Sequence, residues 1–494
     1  MGIFEILERD VAGRIGKLRT PHGTLRTPCL LPVVNPVKLE VPIEQMKRAG
    51  VEALMTNAYL IYRHNPDSSD VHKLLGFEGP IATDSGGFQI LKYGSVEVGP
   101  EEIVRFQEKI SPDIAVILDV PTSARDSRKQ AEEKVNLTIQ RAREAVTLRR
   151  SSSILWCAPV QGGKYLELVE RCAREVGEQD YSLHAIGGPV EYFERYQFDR
   201  VVDLTMTAKR NLPLSRPVHL FGAGHPLSFS LAVLMGCDLF DSAAYALFAK
   251  ADRYMTAGGT LRLEELEELP CECPVCLSHS VSELKRLEKK ERVKLLALHN
   301  LHLSLAEVRR IKQAIAEGRL WDYTYRRCLS HPGLLDGFRR LALYSEWLVK
   351  FDPVTKPSGF LYAGPESAWR PEVLRHRSRM KRYTPPPVQT LLIVPFDCKP
   401  PAVPGHVLKL VPPFGIIPEE LSGFYPLGQY QLPRDFSREE LLAVLPSLRE
   451  YLERFGEKYE KVILVWSEKF GEELLEACGS VTGKLEVYRK AQKS

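Results

Sequence analysis

Eight short apolar segments recur through the first half of the chain, at 29–35, 51–57, 80–87, 113–122, 154–163, 183–188, 218–225 and 237–243. Each closes on polar or small residues, and helix-like stretches such as 99–109, 128–149, 165–176 and 191–208 separate most of them. Strand-sized apolar runs alternating with helices over about 250 residues predict an α/β fold, a (β/α)8 TIM barrel. A doubly wound open sheet is the alternative, but no Gly-rich dinucleotide fingerprint opens a first βα turn. Residues 282–347 carry a strongly helical pattern. Farther on, 390–396 and 462–466 read as strands, and 437–455 and 468–478 as helices. The organisation expected is a barrel over 1–350, a basic linker or arm over 351–388, and one or two small α+β modules over 389–494.

A barrel places its chemistry at the C-terminal ends of different strands. The third apolar run continues as I-A-T-D-S-G-G-F-Q over 81–89, an acid followed at once by a hydroxyl, two glycines, an aromatic ring and an amide. Asp84 and Ser85 are candidates to reach a ligand there, Phe88 to stack on a flat one, and the glycines to allow close backbone approach. The fourth run ends near Asp119 and the fifth at Gln161. The sixth ends at Gly187 and Gly188, the seventh over 222–225, and the eighth at Asp241. Any one of these acids has a plain reading as a helix cap. Three acids and an amide on four different strand ends point instead to a shared rim.

Composition changes the picture little. A chain of 494 residues with 44% hydrophobic and 26% charged residues is ordinary for a soluble protein of two or more domains. The net charge of +4 argues for no partner by itself. The most apolar long window, 229–249, is interrupted by Asp238 and Asp241, so no membrane span is expected. The ten cysteines do not suggest a disulfide scaffold in a chain this long, and a reducing cytoplasm is the expected compartment. Three of them crowd together. Cys271, Cys273 and Cys276, followed by His299, give C-x-C-x2-C-x22-H, a Cys3His set suited to one structural zinc ion. His279 and His302 compete with His299 for the fourth position.

Basic residues cluster in one place. The segment 370–382, RPEVLRHRSRMKR, sets six Lys or Arg against one Glu and leads into Pro385-Pro386-Pro387. Arg375, Arg377, Arg379, Lys381 and Arg382 are therefore candidate phosphate contacts on a nucleic acid. The pairs Arg309-Arg310, Arg326-Arg327 and Arg339-Arg340 read more simply as solvated helix faces.

Taken together, D-S-G-G-F-Q (84–89), V-Q-G-G (160–163), F-D-S-A-A-Y-A-L-F-A-K (240–250), R-Y-M-T (253–256) and the cysteine–histidine set resemble the tRNA-guanine transglycosylases, specifically their archaeal branch. The opening G-R-I-G-K-L, T-P-H-G and L-P-V-V-N-P agree, as do P-P-F-G (412–415) and Y-P-L-G-Q-Y (425–430), so the likeness spans nearly the whole chain. The resemblance implies a TIM-barrel enzyme that exchanges guanine at D-loop position 15 of tRNA for 7-cyano-7-deazaguanine (preQ0), a step in archaeosine biosynthesis. It implies Asp241 as the nucleophile on ribose C1′ and Asp84 as the proton-handling acid/base. Ser85, Asp119, Gln161, Gly187 and Gly188 would hold the base and Phe88 would stack on it. A homodimer is also implied. Pro189 departs from the expected pattern because it offers no N–H beside Gly188. Many archaeal members continue into a C-terminal PUA domain for which there is no room before Ser494, so either a separate PUA-domain protein is a partner or tRNA affinity rests on the barrel and the basic arm.

Two other readings stand beside this one. A non-catalytic tRNA-binding subunit or amidating paralogue of the same fold would usually lack the nucleophile, and both Asp84 and Asp241 are here. An unrelated barrel glycosidase using the same two acids leaves the cysteine motif and basic arm without a purpose.

Overall fold

Every one of the eight apolar segments becomes a strand. The computed structural model describes residues 3–87 and 98–489, and the chain forms two units, Met1–Tyr344 and Ser345–Ser494. The first unit opens with an antiparallel sheet of β1 (Phe4–Asp10), β2 (Gly13–Thr20) and β3 (Gly23–Thr27). Then come the barrel strands β4 (Cys29–Pro32), β5 (Leu54–Asn57), β6 (Ile81–Asp84), β7 (Ile114–Val116), β8 (Leu155–Val160), β9 (Leu183–Ile186), β10 (Val218–Leu220) and β11 (Leu239–Ser242). They run parallel in the order β4-β11-β10-β9-β8-β7-β6-β5. A parallel bridge between Val33 and Met55, with Val34 N–H donating to Met55 O at 2.8 Å, joins the two ends. The sheet is therefore a barrel, and the open-sheet alternative falls.

Two-residue alternation explains how these strands pack. Ala82, Ile114, Val116, Leu155, Cys157, Leu183, Ala185 and Leu239 share one buried cluster inside the barrel. Their neighbours Ala115, Trp156, Ala158, Ile186, Val218 and Leu220 join a second cluster with residues of the surrounding helices, such as Val135, Ile139, Val169 and Leu204. Both faces are covered, which is why the runs read as continuously apolar. Leu18 of β2 and Leu25 of β3 belong to the interior cluster, so the N-terminal sheet plugs the barrel floor. Buried acids tie the strand starts to that floor. Asp238, just before β11, accepts from Val218 N at 2.8 Å and pairs with the Arg14 guanidinium at 2.6 and 2.7 Å.

Beyond the barrel, a long helix (Lys289–Ala316) and shorter ones complete the unit. Two members of the basic pairs serve the fold. Arg327 donates to Glu307 at 2.9 Å, and Arg340 grips Asp203 through two bonds of 2.8 and 2.9 Å. Among the described residues, no helix is long and apolar enough to cross a membrane.

The second unit is built on a five-stranded sheet in the order Gly415–Pro418, His406–Val411, Thr390–Pro395, Lys461–Val465, Leu485–Tyr488. Only Gly415–Pro418 runs antiparallel to its neighbour. Leu445–Phe455 packs its Leu448, Tyr451 and Leu452 onto this sheet. Residues 370–382 are not an extended arm: Pro371–Met380 is a helix, with Pro371 in its first turn. Arg375 donates to the carbonyls of Asp352 (2.7 Å) and Pro353 (3.0 Å), and Arg377 to that of Pro413 (2.7 Å). Of the five basic candidates only Lys381 and Arg382 are exposed, and the other three are half-buried.

Candidate active site and metal centre

The inward alternation carries chemistry to the rim. Asp84 follows Ala82 by two residues, Asp241 follows Leu239 by two, and Gln161 follows Cys157 by four, so all three lie on the barrel's inner face at the C-terminal strand ends. Asp119 arrives on the segment after β7 and is buried. Its Oδ2 accepts from Gln161 Nε2 at 2.6 Å, while Gln161 Oε1 accepts from Thr122 N (3.0 Å) and Thr122 Oγ1 (2.9 Å). Thr122 thereby fixes which way the amide faces. Two glycines make room for this pair. A Cβ at Gly187 would lie 2.2 Å from Gln161 Nε2, and one at Gly87 would lie 2.2 Å from Asp119 Oδ1.

The acids are held differently. Asp84 accepts from Asn57 Nδ2 at 2.8 Å, and Asn57 is itself fixed by capping the following helix through Leu60 N (2.9 Å). Burial, then the nearby Asp119 charge and, more weakly, Asp241, push the Asp84 carboxyl up to about 7. Burial likewise raises Asp119 to about 6, against the pull of its Gln161 bond and Arg141. Asp241 has one oxygen committed: Oδ1 faces His219 Nε2 at 2.9 Å and accepts from Gly222 N at 2.9 Å. Among the described residues, Oδ2 of Asp241 makes no hydrogen bond. Ser85 is buried, with its hydroxyl donating to Ile117 O at 2.9 Å, which makes it part of the loop's footing. Phe88 lies outside the described residues.

Cys271, Cys273, Cys276 and His299 bring three thiol sulfurs and one ring nitrogen within 4.8 Å of one another, a group able to hold a metal ion. Cys273 and Cys276 Sγ stand 3.5 Å apart and lie 3.4 and 3.3 Å from His299 Nδ1. That is close to the ligand spacing around one four-coordinate ion. His299 Nε2 meets the Met255 carbonyl at 2.8 Å and Tyr254 stacks on the ring, so the nitrogen facing the sulfurs is fixed from behind. Of the competing histidines, His279 turns its Nδ1 to Val275 O at 3.0 Å, and neither it nor His302 joins the group.

A family model described as TGT, queuine tRNA-ribosyltransferase, matches residues 10–333. The chain belongs to this family. It is 42% identical over 498 residues to a tRNA-guanine(15) transglycosylase of Methanosarcina barkeri, covering 99% of this chain and 98% of that one. To the protein of the same name from Methanosarcina acetivorans it is 43% identical over 497 residues, covering 99% of each. The relative of that name from Methanothermobacter thermautotrophicus is 44% identical over 466 residues, covering 89% of this chain and 70% of that one.

Three side chains of the site escaped the sequence reading. His219 stands in V-H-L-F, where a lone polar residue in a buried strand was the available signal. Asn57 closes the second apolar run, and Thr122 closes the fourth. Each acts by holding another residue, a task that leaves little trace in local pattern.

Proposed function

We propose that this chain acts as a tRNA-guanine(15) transglycosylase, replacing guanine at position 15 of tRNA with preQ0 without cutting the backbone. The observation that carries the reading is the division of labour on the rim. Asp241 has one oxygen held by His219 and Gly222 and, among the described residues, no partner on the other, and Asp84 is poised to carry a proton near neutral pH. Asp241 Oδ2 attacks ribose C1′ as the C1′–N9 bond breaks, and the electron pair leaves with guanine, whose ring nitrogen takes the Asp84 proton. PreQ0 then returns its N9 proton to Asp84 and attacks C1′, displacing Asp241. Two inversions retain configuration. Asp119 accepts from the donor edge of a guanine-type base, and Gln161 and the Gly187-Gly188 backbone flank its O6 side. Gly187 N–H already donates to Val160 O at 3.0 Å, and Pro189 has none, so Gln161 Nε2 and the Gly188 N–H are the donors we assign to O6. Phe88 is kept as the stacking face for a base taken out of its stack, an extrusion that costs a few kcal/mol.

We assign zinc to the Cys3His group. With four protein ligands it would supply a structural crosslink between 271–276 and the helix Lys289–Ala316 rather than a site for water. For tRNA phosphates we retain Arg379, Lys381 and Arg382, because Arg375 and Arg377 spend their donors on carbonyl oxygens of their own unit. The test is exchange of labelled guanine in tRNA, with and without preQ0, by wild type and Asp241→Ala. The wild type should incorporate both bases and the variant neither. A wild type that incorporates neither overturns the proposal.

A further inference from the structure

On the floor of the barrel, at the strand starts, His22, His72 and Asp113 meet. His22 lies in the β2–β3 turn, His72 in the helix Val71–Leu75, and Asp113 one residue before β7. Their donor atoms form a tight triangle. His22 Nδ1 is 3.2 Å from Asp113 Oδ1, His72 Nε2 is 3.0 Å from Asp113 Oδ2, and the two ring nitrogens are 3.1 Å apart. We propose that these three residues form a second metal site, taking one divalent transition ion of the Zn2+ class.

Three observations carry this. First, the carboxylate is oriented from behind. Oδ1 accepts from His22 N at 2.8 Å and Oδ2 from Ile81 N at 2.9 Å, which leaves one lone pair of each oxygen turned toward the rings. Backbone donors fixing a ligating carboxylate are the usual outer support of a metal site. Second, hydrogen bonds alone satisfy the triangle poorly. If both facing nitrogens carry protons for the carboxylate, two N–H groups oppose each other across 3.1 Å; if either ring takes the other tautomer, it loses its carboxylate bond. A cation removes the conflict, because all three groups present lone pairs to it. Third, the spacing fits. Two imidazoles and a carboxylate around an ion at about 2.0–2.1 Å stand roughly 3.3 Å apart in a tetrahedron. The side chains of Asp113 and His72 are 0% and 10% exposed, and His22 is 43% exposed. The open side at His22 gives an entry path and room for water as a fourth ligand. The ion would clip the plugging hairpin to β6, β7 and the helix carrying His72, far in the fold from the rim chemistry.

The proposal is independent of the Cys3His assignment, and one experiment separates them. Wild type, His22→Gln, His72→Gln, Cys273→Ala and the exposed-histidine control His64→Gln are dialysed to equilibrium against buffered Zn2+, and bound metal is counted. Two equivalents are expected for wild type and His64→Gln. One is expected for each of the other three, and a melting temperature that rises with free Zn2+ in wild type should not do so in His22→Gln. His22→Gln and His72→Gln matching wild type in both readouts would overturn the proposal and leave a carboxylate-held imidazole pair. Loss of metal from Cys273→Ala tests the cysteine centre, whatever the histidine variants retain; loss confined to it counts against the second site.

Discussion

Asp84→Asn should make the protein more stable while silencing it. The Asp84 carboxyl, moved by burial and by the Asp119 and Asp241 charges from an ordinary 3.8 to about 7, is protonated in the fold over a pH range in which the unfolded chain has already lost that proton. The native state therefore binds more protons between those values, and stability falls as pH rises through the window. Three pKa units correspond to roughly 4 kcal/mol of disfavoured ionisation above pH 7. Asp84 keeps some contact with solvent and the amide must still be accommodated, so about half, ~2 kcal/mol, is the gain expected from the substitution at pH 8. The Asn57 bond survives, since an asparagine oxygen accepts as well as a carboxylate oxygen. With roughly 2.1 cal/mol/K per residue, the first unit carries an unfolding entropy near 0.7 kcal/mol/K, so ~2 kcal/mol raises its melting temperature by about 3 °C. The same working gives about 1 °C at pH 5, where most of the penalty is gone. Scanning calorimetry of both proteins at pH 5 and pH 8, at one scan rate, reads the difference directly. Loss of an acid/base contributes a fall of about 10²–10⁴-fold in exchange. An equal gain at both pH values, or a loss of stability at pH 8, would refute the placement of Asp84 in a field of buried carboxylates.

Three further outcomes follow from distances in the site. His219→Leu removes one of the two groups holding Asp241 Oδ1, and kcat should fall about 10–100-fold with KM little changed, in line with ~1.5–3 kcal/mol for a bond to a charged group; a kcat within twofold of wild type in single-turnover assays counts against it. Gly187→Ala drives a methyl group to within 2.2 Å of Gln161 Nε2, whose retreat Thr122 opposes, so KM for the free base should rise about tenfold while metal content stays constant. Cys273→Ala should lose one equivalent of bound metal and melt several degrees lower; full retention of metal refutes the Cys3His assignment.

The barrel was legible because its signals are local and repeated. Eight buried parallel strands write themselves as apolar runs, and the polar residue ending each run marks the rim. Asp84, Asp119, Gln161 and Asp241 were found in this way. The cysteine spacing was equally plain, and with His279 only three residues past Cys276 it also pointed to His299 as the fourth member. What the sequence hid was partnership. Nothing in V-H-L-F tells that His219 faces an acid 22 residues later. Charge alone left the conformation of 370–382 open, because a helix with carbonyl partners and a solvated basic segment share one composition. Of the five-stranded sheet, His406–Val411, Gly415–Pro418 and Leu485–Tyr488 went unread, short strands whose pairing is set by distant neighbours.

The Asp119–Gln161 bond has one more consequence. At 2.6 Å, with Gln161 anchored at its far end by Thr122, the acid and the amide already hold each other, and a base that displaces either must replace that bond. Under the proposed chemistry a guanine-type base can afterwards satisfy both partners, offering N–H groups to the acid and an oxygen to the amide. Adenine presents a bare ring nitrogen where the acid expects a proton, so it breaks a good bond and restores nothing. Each such mismatch costs about 1–3 kcal/mol. Discrimination among bases then rests on the strength of this bond within the protein as much as on contacts to the base itself.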